Sequence, residues 1–106
     1  MEHKNYNDRA WELGYYTLEM VHRMSHSEFL TLGEAMLKTA KQVSDGVELT
    51  TQEEMYDAYG RCLRLMSYLQ AVEEMGIISA EEYRHLEIQI LALTNQLQSM
   101  YKKAQC

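Results

Sequence analysis

Proline is absent from this 106-residue chain, so no residue forces a helix to kink or stop. Cysteine is limited to Cys62, inside an apolar stripe, and Cys106, at the last position. Two such positions exclude a disulfide framework and a zinc-ligand spacing, and both are read as free thiols. No apolar run approaches the ~18 residues of a membrane span. The opening Met1-Glu2-His3-Lys4-Asn5 is polar and no hydrophobic stretch follows it, so neither a leader nor a membrane contact is expected and the default compartment is the cytoplasm. Positive charge is in deficit as well. Ten lysines and arginines face sixteen acids, a net charge of -6, which argues against indiscriminate adhesion to nucleic acid or anionic lipid but leaves room for a local basic patch.

What is present is helical punctuation. Asn5, Asn7 or Asp8 can cap a first helix over 6–24, which Ser25-His26-Ser27 breaks. Ser27 before Glu28 can cap a second over 28–44, stopped by Asp45-Gly46. Thr51-Gln52-Glu53-Glu54 and Ser79-Ala80-Glu81-Glu82 both have capping-box spacing, in which the hydroxyl accepts from the backbone three residues on and the glutamate accepts from the cap N–H. They open helices over 52–75 and 80–103, joined as an antiparallel hairpin around Gly76-Ile77-Ile78. The expected fold is a single-domain, all-α, up-down-up-down antiparallel four-helix bundle.

Apolar residues recur at three and four along each helix. The fourth carries Tyr83, Leu86, Ile90, Leu93, Leu97 and Met100, and the third Met55, Ala58, Cys62, Leu65, Leu69 and Val72. The second offers Phe29, Gly33, Met36, Ala40, Val43 and Val47. The first helix has more than a seam: beside Ala10, Leu13, Thr17, Met20 and Met24 it carries Trp11, Tyr15, Tyr16, Leu18 and Val21. Ile88 and Leu91 sit opposite the seam of the fourth. A helix apolar almost all round needs cover on several sides, so a homo-oligomer is expected with Trp11, Tyr15, Leu18, Ile88 and Leu91 at its interface. The alternative is that tyrosine and tryptophan rest half-exposed at a bundle surface. Gly14, Gly33 and Gly60 fall within helices at about 1 kcal/mol each relative to alanine. Close helix approach would account for them, and for Gly60 so would a kink.

Glu19-Met20-Val21-His22 and Glu82-Tyr83-Arg84-His85 share the Glu-x-x-His spacing of dimetal bundles. Register opposes that reading, because Glu19 lies on a polar edge, Glu82 and His85 flank the inward positions, and the middle seams hold no glutamate. His22 and His26 could share a helical face, but no third ligand accompanies them. No nucleophile-base order and no phosphate loop appears, so neither enzyme activity nor a catalytic residue, metal or cofactor is expected. Lys38 and Lys41, with Arg61 and Arg64, fall near one level of adjacent helices and are the candidate nucleic-acid contacts. Neutralisation of Glu34, Asp57 and nearby acids accounts for them equally simply.

Phe29-Leu30-Thr31-Leu32-Gly33-Glu34, then Leu37 and Ala40, then Gly60, Leu63 and Leu69, and Gly76-Ile77-Ile78-Ser79 before Glu81-Glu82-Tyr83 form a string that resembles a known family. It is similar to the small four-helix proteins that include those of ribosomal RNA intervening sequences and the accessory variability determinant (Avd) of diversity-generating retroelements, with the Thr31-Leu32-Gly33-Glu34 start favouring the latter. The resemblance implies a homopentamer that binds a reverse transcriptase and its template RNA or cDNA without catalysing synthesis. Characterised Avd-type proteins are strongly basic, and this chain is acidic. The competing reading is therefore an acidic adaptor or inhibitor, of the kind phages carry, that contacts protein and no nucleic acid.

Overall fold

A computed structural model describes residues 6–44 and 51–104, and the Asp45-Gly46 stop, Val47, Asn5 and Cys106 lie outside them. Four helices hold most of the described residues, with no strand among them. They are α1, Tyr6–Val21; α2, 26–44, which runs as an α turn at His26–Glu28, a π-helical turn at Phe29–Gly33 and an α-helix at Glu34–Ser44; α3, Gln52–Glu74; and α4, Ala80–Ala104.

Both expected capping boxes form. Thr51 accepts from the Glu54 N–H at 3.1 Å while the Glu54 carboxylate accepts from Thr51 N–H at 3.1 Å, and Ser79 and Glu82 do the same at 3.1 and 3.2 Å. A third box overturns the assignment of Ser27 as a cap. Ser25 caps α2, accepting from Glu28 N–H at 3.2 Å and donating its own N–H to Glu28 at 2.8 Å. Ser25 can do so because α1 ends at Val21, not Met24: Arg23 and Met24 bond back to Met20 and Val21, which tightens the chain into a turn. Helix α3 closes with a Schellman arrangement in which Gly76, at φ 79°, lets its N–H reach the Glu73 carbonyl and the Ile77 N–H reach Val72.

Each helix packs on two neighbours, α1 and α3 both against α2 and α4. Gln52 Nε2 donates to the Tyr101 carbonyl at 3.3 Å and Tyr83 donates to Met66 Sδ at 3.9 Å, so α3 and α4 run antiparallel. The end of α1 meets the start of α4, where Arg23 bonds Glu82 at 2.7 Å. These are the relations that an up-down-up-down bundle requires of those pairs.

The core is the set of seams. All six predicted α3 positions are buried, with Leu86, Ile90, Leu93 and Leu97 of α4, Met36, Ala40 and Val43 of α2, and Ala10, Leu13 and Met20 of α1. Phe29, Met24, Tyr83 and Met100 are only half-buried at the ends of the stripes. Thr17 is buried at no cost in unpaired hydroxyl, since it donates to the Leu13 carbonyl at 2.8 Å. Val21, placed on the outer surface of the first helix by its position, is buried, because Gly33 lets α2 come close to it.

Glu82 joins the cap of α4 to the end of α1. The hydrogen bond from Arg23 holds its carboxyl below the usual range, with the Ser79 backbone helping, and the same bond raises Arg23. A depressed carboxylate contributes stability above its unfolded pKa that is lost as pH falls through its folded one. The pair is half-exposed and screened by water, so it is worth about 0.2–1 kcal/mol. Ser79→Ala should cost about 1 kcal/mol more directly through the cap. Thermal melts from pH 7 to pH 3 should show Arg23→Ala losing its deficit against wild type in the acid limb, while the Ser79→Ala deficit persists there in part.

Candidate functional site

The five residues expected at an interface all stand on the surface of the bundle: Trp11 is 65% exposed, Ile88 60%, Tyr15 49%, Leu91 48% and Leu18 41%. Their helices put them there, since Trp11, Tyr15 and Leu18 at i, i+4 and i+7 share one face of α1 while Leu13, Thr17 and Met20 take the opposite one. The α1 face is organised. Trp11 and Tyr15 stack with centroids 6.0 Å apart and planes 14° from parallel, Tyr16 meets Tyr15 edge-on at 6.2 Å, and His85 of α4 meets Tyr16 at 5.5 Å. Tyr15 donates its hydroxyl to Glu19, which raises the phenol above its ordinary value. A large apolar side chain tied into a ladder has less rotamer freedom left to lose on contact.

Of the four candidate nucleic-acid residues, the structure brings two together. Arg61 and Arg64 line a cleft of about 360 Å³ with Gln42, Tyr56, Asp57 and Gly60, whereas Lys38 and Lys41, both exposed on α2, do not line it. Among the described residues neither guanidinium forms an ion pair.

Glu19, Glu82 and His85 line one concavity together with Arg23, which bonds Glu82 at 2.7 Å. His85 contacts Gln89 at 3.2 Å, and His22 and His26 are both exposed. Among the described residues no group of three or more histidine, cysteine, aspartate or glutamate side chains is arranged to hold a metal ion. Also among them, no helix is long and apolar enough to cross a membrane. Cys62 is a buried thiol that burial pushes up to about 12, which leaves it unreactive as a nucleophile at neutral pH.

Two features depend on packing that residue spacing does not encode. A groove of about 510 Å³ runs between the start of α3 and the end of α4, floored by Met55 and Leu97 and walled by Tyr56, Tyr59 and Tyr101. The tyrosine spacing on α3 hinted at it, but the pairing with Tyr101 depends on register between helices. Near the start of α1, burial raises the Tyr6 phenol, and its hydroxyl has no partner among the described residues.

The class these observations define is an all-α four-helix bundle whose outer surface keeps ordered aromatic and aliphatic side chains in water. No family model, curated protein or solved structure matches the chain.

Proposed function

We propose that this protein is a noncatalytic, oligomeric accessory of the Avd type, which binds a reverse transcriptase and presents it with template RNA in a diversity-generating retroelement. The observation that carries the reading is the exposure of Trp11, Tyr15 and Leu18 on one face of α1 together with Ile88 and Leu91 on α4. Large apolar groups at this density favour a protein partner, because covering them recovers roughly 25 cal/mol per Å² of apolar surface removed from water. Copies of the chain are the first such partner, and the homopentamer implied by the family resemblance is the assembly proposed. Nucleic acid would be met by Arg61 and Arg64 in their cleft, with Lys38 and Lys41 on the neighbouring helix.

A second reading is supported by charge. At -6 per chain an assembly grows more acidic with every copy, which suits an adaptor or inhibitor that occupies a basic groove on another protein without touching nucleic acid.

Native mass spectrometry of the purified chain, followed by binding of the assembly to a co-expressed reverse transcriptase and to RNA over a salt series, tests both. An oligomer that retains the enzyme and RNA, with RNA released as salt rises, is expected for the first. Salt-sensitive binding to a basic protein with no RNA retained selects the second. A monomer at every concentration would remove the basis of the oligomeric reading.

A further inference from the structure

Gly60 stands in the middle of α3, exposed, and a Cβ built on it meets nothing within 4 Å. Nothing among the described residues therefore requires a glycine there, although glycine weakens a helix interior. Gly33 behaves differently: a Cβ on it would lie 2.8 Å from Met24 Sδ, so that one serves packing within the chain. Gly60 opens outward instead. It sits between Tyr56, 71% exposed, and Leu63, 49% exposed, and the three share one face at i, i+4 and i+7.

We infer that this line on α3 is the seat for the Trp11–Tyr15–Leu18 stripe of a second copy of the chain, with Tyr15 entering the notch at Gly60. The inference rests on the oligomeric reading above and specifies its contact. The two faces match in three independent respects. Stripe and line have the same i, i+4, i+7 spacing and each extends ~10 Å. The middle member is a large ring on one side and a missing side chain on the other, the complement that lets helices approach closely. Charge adds to this: Glu12 and Glu19 border the stripe, while Arg61 and Arg64 line the cleft beside Gly60 with Asp57, and Glu53 stands one turn before Tyr56.

Helices α1 and α3 are diagonal in the bundle, so the stripe and the line of one subunit face away from each other. Each copy then offers a stripe to one neighbour and a line to the next. Such a contact is heterologous and closes into a ring or runs on as a filament.

Gly60→Leu is the direct test, because the added side chain enters open space in the subunit and should leave the helical circular dichroism signal unchanged. It should raise the concentration at which the assembly dissociates by about thirtyfold or more, the effect of losing a well-packed interface anchor. Leu63→Glu, at an exposed site on the same line, should do likewise and covers the case in which Gly60→Leu misfolds. Trp11→Glu should dissociate the assembly from the other side. Mixed in equal amounts, Trp11→Glu and Gly60→Leu should form one-to-one dimers, since each supplies the face the other has lost. Wild-type mass retained by both Gly60→Leu and Leu63→Glu overturns this contact and leaves the oligomer standing. Two folded, monomeric variants that stay monomeric when mixed also overturn it. A wild-type monomer overturns the contact and the oligomeric reading together.

Discussion

Leu65→Ala is expected to cost about 3 kcal/mol of folding stability, whereas Leu91→Ala on the neighbouring helix should change that of the dissociated chain by less than about 0.5 kcal/mol. The chemistry deleted is the same at both sites, so the difference isolates burial. Leu65 has no exposed surface and is enclosed by a core to which all four helices contribute, while Leu91 is 48% exposed. At Leu65 the lost transfer energy is joined by the cavity left behind, because α3 is held by its capping box and its Schellman end and cannot slide inward to fill the space. In a domain of this size the total stability is only about 5–15 kcal/mol, so one such cavity removes a large share of it and should lower the melting temperature by roughly 10 °C or more. Urea titrations followed by circular dichroism at matched protein concentration measure both variants, since association would itself shift the midpoint. Trp11 is unsuited as a fluorescent reporter of the core because it is mostly exposed in the folded subunit. Equal effects at the two leucines would mean that Leu91 is already covered in solution, and dilution would then separate them.

The same contrast explains which features the sequence made legible. The α3 seam was readable to the residue because a long, uninterrupted helix keeps its period, and both ends were marked by local chemistry, Thr51 with Glu54 and Gly76 with Ile77. The start of α2 differs from the expectation although the sequence carries its signal. Ser25 and Glu28 have the same spacing as Thr51 and Glu54, but Ser27, directly before Glu28, competes with Ser25 as a cap by position alone. The π turn at Phe29–Gly33, in which the Glu34 N–H reaches the Phe29 carbonyl, has no period of its own to read, and it arises where α2 must pass over the end of α1. The burial of Val21 follows from that passage and so could not be inferred from α1 alone. At the surface, a helix wheel sufficed to put Trp11, Tyr15, Leu18, Ile88 and Leu91 outside. The joining of Arg61 and Arg64 with Gln42, without Lys38 and Lys41, depends on the rotation of α2 against α3, which residue spacing does not encode.

Gly33 and Gly60 should respond to substitution with opposite signs, although both are helical glycines and look alike in the sequence. Gly33→Val is expected to destabilise the subunit by about 1–3 kcal/mol. Its Cβ would stand 2.8 Å from Met24 Sδ and 3.1 Å from Phe29 Cδ1, and the valine methyls would extend further into the crossing of α1 and α2. Met24 could swing aside, but it and Phe29 close that crossing, so relief at one would expose the other. Gly60→Ala meets nothing within 4 Å and should stabilise the isolated subunit by up to about 1 kcal/mol, because alanine loses less backbone freedom on entering a helix. The pair separates a glycine held by contact within the chain from one that the described residues leave open. Chemical denaturation in the Trp11→Glu background, where the stripe is disabled, reads the subunit alone. If Gly60→Ala were destabilising there, the open space around Gly60 would be filled in the folded subunit itself, and the glycine would need an explanation inside the bundle.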